Sequence, residues 1–221
     1  MGKIRLGKNA IRVLIALAKL GQCHFTGLAR VTGLSNQALN YSLKRLIKLG
    51  YVTRVMEGIY ALSRVSPICF LSSDVNNVFY IGGLGLRNNR DTPEPIVAKE
   101  LLEKNGVKVA DLLVFTTADA LKSWEDYAMK FKLRKLDKNA LKDINVMREE
   151  LKEEVTKAME KAPVVLDCTS LNKVFTIAMY QLAQEQKLPL IYVYEDTKEL
   201  IWLRSFKDVR EEVMRALNER A

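Results

Sequence analysis

The sequence predicts an α/β chain of two parts: a small basic unit of helices closed by a β-hairpin, then a larger unit built on a mostly parallel sheet with helices on both faces. Three observations predict it. Charge is the first. Residues 1–66 hold eleven Lys and Arg against the single acid Glu57, net +10, whereas residues 67–221 hold 24 against 25 acids, net −1. The second is a helical apolar period that runs to Gly50 and gives way to strand alternation around Glu57-Gly58. The third is the alternation of short apolar runs with longer periodic segments from Val78 onward. We place the first unit at 1–66, a linker at 67–77 and the second unit at 78–221.

Composition excludes several classes. The chain is 48% hydrophobic and 28% charged over 221 residues, enough for real cores. No apolar run approaches the ~20 residues that span a bilayer, so no membrane partner is expected. In MGKIRLGKNAIRVLIALAKL, Arg12 and Lys19 interrupt the apolar stretch at helical spacing and no small-residue cleavage site follows. It reads as an amphipathic helix, not a signal peptide. Cys23, Cys69 and Cys168 are odd in number and far apart, which argues for reduced thiols in a cytoplasmic protein and against a zinc site. His24, the one histidine, lies beside Cys23. Two residues are too few for a metal, and a turn histidine is expected.

In the first unit, NAIRVLIALAKL puts Ile11, Leu14, Ile15, Leu17 and Ala18 on one helical face, with Asn9 as N-cap. FTGLARVT is a second helix capped by Thr26, with Leu28, Ala29 and Val31 inward. After Gly33-Leu34, Ser35 caps a third helix with a stripe of Leu39, Leu43, Leu46, Ile47 and Leu49, ended by Gly50. YVTRVMEGIYALS is a hairpin. Helix, helix, turn, helix and two-stranded wing resemble a winged helix-turn-helix, and Leu46 to Arg54 is similar to that family's helix–wing junction. The resemblance implies double-stranded DNA as partner, with the third helix in the major groove. Ser35, Asn36, Gln37, Asn40 and Tyr41 would then face base edges, where Asn and Gln can pair with adenine. Lys44, Arg45, Lys48 and wing Arg54 would sit on phosphates. A winged helix that makes only protein contacts is the alternative, which the near absence of acids disfavours.

The second unit reads as strands at 78–81, 112–115, around 131–136, 164–166, 190–194 and 200–203. Helices are expected at 93–104, 118–130, 142–161, 171–186 and 207–220. Val146, Leu151, Val155 and Met159 should be buried on the charged helix, whose Glu and Lys pair at i,i+3 and i,i+4. Val174, Ile177, Ala178 and Leu182 should face inward on the next. Such units form a Rossmann-like sheet that binds ligands beyond the carboxyl ends of its strands. Three strand ends are polar or glycine-rich: Gly82 to Asn89, Thr116-Thr117 and Thr169 to Lys173. Hydroxyls, an amide and a helix N-terminus suit a phosphate or nucleotide. A dinucleotide cofactor is not expected. Asn88 stands where a third glycine should, and the strand ending Phe115-Thr116-Thr117 lacks the ribose-binding acid. Trp124 and Tyr127 read as core or dimer contacts, and Asp137 and Asp167 as helix caps.

The order of these features resembles the CRISPR-associated Rossmann fold, the CARF domain. That family's strand ending Asp-x-Thr-Gly-Gly-x-Lys is matched here by Asp167-Cys168-Thr169-Ser170-Leu171-Asn172-Lys173, with both glycines replaced. Its archaeal regulators usually carry the winged helix after the sensor, whereas here it comes first. The resemblance implies a homodimer and a cyclic oligoadenylate ligand. Thr169, Ser170, Asn172 and Lys173 would hold phosphate or ribose, Gly83, Gly85, Arg87 and Asn88 would line the first loop, and Thr116 and Thr117 the second. The function so implied is a ligand-responsive transcriptional regulator and not an enzyme. The alternatives are a ring nuclease using Ser170 or Lys173, and a constitutive DNA-binding dimer. A lysine at Lys173 opposes the helix dipole unless an anion or Asp167 lies near.

Overall fold

The acid-poor third of the chain folds as α1 (Lys8–Leu20), the short strand β1 (Cys23–His24), α2 (Phe25–Thr32), α3 (Asn36–Lys48) and the hairpin β2 (Val52–Met56) and β3 (Ile59–Leu62). This is seen in a computed structural model that describes residues 6–127, 131–194 and 196–218. Helix α1 buries Ala10, Ile11, Val13, Leu14, Ala16 and Leu17 and starts one residue before Asn9, with Gly7 as N-cap. The cap of α2 is His24, not Thr26: its Nδ1 accepts the Thr26 amide at 3.3 Å and lies 3.0 Å from the Thr26 hydroxyl. Pairing of β1 with β3 puts His24 there, opposite Ile59, a third strand that a two-residue segment is too short to betray. Ser35 caps α3 as expected, accepting the Ala38 amide at 3.3 Å. Two apolar assignments rotate outward, Val31 and Ile47, both exposed. In each case the core is closed by smaller arcs, Leu28 on α2 and Leu39, Leu43 and Leu46 on α3.

The segment read as a linker is buried over Ile68–Leu71, a 3-10 turn. Buried Ser66 accepts the Val164 amide at 3.0 Å and donates to the Ala162 carbonyl at 2.8 Å, while its own amide donates to Met159 O at 2.9 Å. The Arg210 guanidinium donates to the carbonyls of Phe70 (3.0 Å) and Ser72 (2.9 Å). One apolar cluster therefore runs from Leu14 and Leu17 through Ile68 and Phe70 to Met159, Val164 and Val213.

The second unit comprises β4 (Asn77–Leu84), α4 (Glu94–Lys104), β5 (Lys108–Thr116), α5 (Ala118–Ser123), β6 (Lys132–Lys135), α6 (Ile144–Lys161), β7 (Val164–Asp167), α7 (Lys173–Gln186), β8 (Leu190–Tyr194), β9 (Glu199–Arg204) and α8 (Phe206–Asn218). Six strands form one sheet in the order β6-β5-β4-β7-β8-β9. All neighbours are parallel except β8 and β9, the expected mostly parallel Rossmann-like sheet. One face packs on α4 through Val78, Tyr80, Val165, Ile191 and Val193, the other on α6 and α7. Helix α5 stops at Ser123, where Trp124 turns inward; the end expected at 128–130 lies outside the described residues. On α6 the buried residue is Met147 and not Val146, and on α7 Phe175 and Met179 replace Ile177, which is exposed. On α6, Lys157 meets Glu153 and Glu154 at 2.7 and 3.1 Å.

Candidate functional site

The polar surface of α3 follows from its leucine stripe. With Leu39, Leu43 and Leu46 turned in, Asn36, Gln37, Asn40, Tyr41, Lys44 and Lys48 are exposed together, and Ser35 opens the helix at the same end. Arg45 is half-buried. It lines a cleft of about 550 Å³ between α3 and the start of α1 with Lys8, Gln37 and Tyr41. Arg54 is exposed on the wing, 3.7 Å from Glu57.

In the sheet, β4 lies in the middle. The chain adds β5 and β6 on one side, then β7, β8 and β9 on the other, so the direction of winding reverses between β4 and β7. The loops after β4, β5 and β7 thus leave the same sheet edge around one crevice, as the sequence implied. Most of the hydroxyls and amides gathered there are already bonded within the chain. Thr116 is buried and donates to Leu84 O at 3.1 Å. Thr117 caps α5 through the Ala120 amide, 3.2 Å. Asn172 caps α7, accepting the Phe175 amide at 3.1 Å, and its amide group donates to Leu141 O at 2.8 Å. Arg87 lies over the Trp124 ring, 4.8 Å to its centroid, donates to Arg90 O and pairs with Asp126 at 3.3 Å. Trp124 is buried and its indole donates to Gly85 O at 2.9 Å. Asn88 is exposed in a left-handed turn with Asn89.

Asp167 is wholly buried and caps no helix. It accepts the Tyr80 hydroxyl at 2.5 Å, and the Thr169 amide and hydroxyl at 2.8 and 2.5 Å. Thr169 in turn accepts the Val193 amide at 2.8 Å, so its hydroxyl ties β7 to β8. Burial raises the Asp167 carboxyl above the usual carboxylate range and, with the acid beside it, holds the Tyr80 phenol well above its ordinary value. Asp137 caps its own turn through the Asn139 amide, 2.7 Å.

The loop after β7 has an informative backbone. Leu171, in the place of the second glycine of the CARF signature, has φ 68°, the left-handed conformation that glycine adopts freely. Its side chain fills the space a glycine would leave: a Cβ on Gly83 would lie 3.0 Å from Leu171 Cδ1, and one on Gly85 3.6 Å from the Leu171 nitrogen. Gly83 lets the β7 loop close on the end of β4, while the 3.6 Å at Gly85 is ordinary van der Waals contact. Ser170 is buried and its hydroxyl has no hydrogen-bond partner among the described residues. Lys173 is exposed at the start of α7 and has no ion pair among the described residues. Buried Cys69 and Cys168 have thiols pushed up to about 12, unsuited to nucleophilic work. Among the described residues no group of three His, Cys, Asp or Glu could hold a metal, and no helix is long and apolar enough to cross a membrane.

Beside the crevice, a cavity of about 340 Å³ is lined by Thr169, Val193, Arg90, Glu94, Asp196 and Lys198 among others. Sequence reading missed its last four residues. Glu94 is buried with Arg90 at 3.3 Å. The only signal for them was negative: Glu94 and Arg90 fall in a loop and first helical turn where i,i+4 pairing is routine.

Residues 6–58 match the MarR family, which agrees with the winged helix-turn-helix seen there. No curated protein matches the chain. Three solved structures are similar over part of the chain. Can2 from Sulfobacillus thermosulfidooxidans, in complex with cyclic tetra-adenylate, is 11% identical with a TM-score of 0.43, over 58% of this chain and 35% of its own. Protein VC1899 from Vibrio cholerae is 11% identical with a TM-score of 0.44, over 58% and 33%. Enterococcus italicus Csm6, bound to cyclic hexa-2′-fluoro-hexa-dAMP, is 9% identical with a TM-score of 0.44, over 62% and 43%. This chain thus spans less than half the length of each.

Proposed function

We propose that the protein is a DNA-binding regulator, acting as a homodimer, whose sheet unit senses a cyclic oligoadenylate or related nucleotide. The observation that carries the reading is the β7 loop. It keeps the family's Asp, Thr and Lys and a glycine-like φ at Leu171, at the switch point of the sheet. Among the described residues it also leaves one buried hydroxyl, Ser170, without a hydrogen bond and one cation, Lys173, without an ion pair. A phosphate at the N-terminus of α7 would answer both and relieve the unfavourable placement of Lys173 against the helix dipole. DNA contact is supported by the acid-free face of α3 in a segment that carries +10.

The first test is calorimetry and thermal shift of the purified chain against cyclic tri-, tetra- and hexa-adenylate, with NAD and S-adenosylmethionine as controls. Saturable binding of one ring, lost in Ser170→Ala with Lys173→Ala, is the expected result. Product release from a bound ring would make the protein a ring nuclease instead. A second reading, a constitutive DNA-binding dimer, is favoured by one observation: Arg87, Thr116, Thr117, Thr169 and Asn172 are all bonded internally. Silence from every ring, with DNA binding intact, would establish it.

A further inference from the structure

A cleft of about 380 Å³ opens at the joint between the two units. The winged helix contributes Tyr51, Arg64 follows its last strand, the buried turn gives Ile68, and α8 gives Val213 and Leu217, with Lys187 from the end of α7. The 14 residues of α7 set Lys187 about 20 Å from Lys173, so the cleft is separate from the crevice at the strand ends. Its floor is apolar. The only charges that line it are Arg64 and Lys187, both cations. They sit together, because Arg64 Nη2 donates at 3.1 Å to Oε1 of Gln186, the residue before Lys187. An apolar lining with a few convergent polar groups, at a boundary between domains, is the usual make-up of a small-molecule site.

Neither cation is neutralised among the described residues. Arg64 is half-buried, its Nη2 also reaches the Met159 sulfur at 3.2 Å, and its Nε is buried with no acceptor among those residues. Arg87, Arg90 and Arg204, also half-buried, each hold a carboxylate. Glu212 lies in the field of Lys187 but gives its two oxygens to Arg204 at 3.2 and 2.8 Å. Lys187 stands at the C-cap of α7 with φ 53°, the left-handed conformation that glycine takes without strain. The cap itself therefore does not call for a lysine, whereas an anion in the cleft does. We propose that the cleft binds a small organic anion, one carboxylate on an apolar body. The carboxylate lies on Arg64 and Lys187, and the body on Ile68, Val213 and Leu217. A carboxylate is the planar, charged acceptor that a guanidinium matches, and a thioether or an amide is not. A molecule seated here touches both units at once, so it binds only the form in which they are packed together and stabilises that form. The inference depends on neither ring binding nor DNA contact.

Calorimetry and thermal melts of the full chain test the inference, with octanoate and 4-phenylbutyrate as alkyl and aryl probes and their neutral amides as controls. At least one carboxylate should bind saturably below about 10 mM and raise Tm progressively with its concentration. The amides should do neither, and the carboxylate that binds tells an alkyl body from an aryl one. Lys187→Gly should melt within about 2 °C of wild type, since glycine keeps the cap, yet weaken the carboxylate at least about tenfold. Because that variant keeps the fold, its loss of binding reads the charge and not the packing. Arg64→Gln should weaken binding by at least as much. Silence from both carboxylates to about 10 mM, amides that bind as well as the acids, or an affinity unchanged in either variant would overturn the inference. The probes carry neither phosphate nor base. A chain that ignores every adenylate ring and still binds one of them removes the sensor and leaves this site, and a chain that binds a ring but no carboxylate does the reverse.

Discussion

Replacing Ser66 by alanine probes the joint between the two units. The side chain is fully buried, and its one oxygen serves the Val164 amide at 3.0 Å and the Ala162 carbonyl at 2.8 Å. Alanine orphans both backbone groups, and the space of one oxygen is too small to admit a bridging water. An unsatisfied buried group costs about 1–3 kcal/mol, so the variant should lose about 3 kcal/mol. For a chain of this size, each kcal/mol lowers Tm by about 2–4 °C, giving a fall of about 6–12 °C. The continuous apolar cluster across the joint predicts that the melt stays a single transition. Ser63→Ala, at an exposed position three residues earlier, is the control and should stay within about 0.5 kcal/mol. Thermal melts followed by circular dichroism at fixed protein concentration decide the matter. A fall of less than about 2 °C for Ser66→Ala would mean that the joint is not held as described.

Three further outcomes are expected. The Asp167 carboxyl is raised by burial; the stability it contributes is therefore full below its unfolded value and lost as pH rises through the folded one. Asp167→Asn, neutral at every pH, should escape that loss, so its Tm relative to wild type should climb between pH 4 and 8; a constant difference would refute the assignment. Lys44→Ala should weaken binding to all DNA sequences alike and reduce the salt slope by about 0.9, while Asn40→Ala should change base preference; footprints and salt titrations unchanged in both would remove α3 from the interface. Leu171→Gly relieves a left-handed leucine, worth on the order of 1 kcal/mol, and clears the approach to the loop after β4. Affinity for the responsive ring should rise about tenfold by calorimetry, and an unchanged affinity would take that loop out of the site.

Periodicity exposed the elements better than their faces. Strand–helix alternation and the turn glycines located every long element, because each is set by local pattern and local caps. The misplaced residues are Val31, Ile47, Val146 and Ile177, each one position from the edge of an apolar arc. Helical spacing defines an arc about 100° wide, whereas tertiary neighbours decide which edge closes, and those neighbours are distant in sequence. The site shows the same limit. Sequence identified the loops that meet at the switch point, since topology alone brings them together. It could not show that Thr169, Asn172 and Arg87 spend their polar atoms within the fold, because the partners, Val193, Leu141 and Asp126, lie 24 to 39 residues away.

The joint and the crevice stand at opposite ends of one short strand. Val164, the first residue of β7, bonds Ser66, and Asp167, the last, holds Thr169 and Tyr80. With Ile68–Leu71 buried and Arg210 gripping both Phe70 and Ser72, the winged helix is not on a tether that could swing by itself. On the proposed reading of a ligand-sensing homodimeric regulator, a ligand at the β7 loop would change DNA contact in one of two ways. It can loosen this joint, or it can alter how two rigid copies are set against each other. Loosening the joint would orphan the buried backbone groups that Ser66 satisfies, a cost of about 3 kcal/mol by the reasoning above. Shifting a pair requires only that the ligand bind one arrangement more tightly than the other. The second route is the less costly. It predicts that Ser66→Ala alters stability while leaving the ligand's effect on DNA affinity in place.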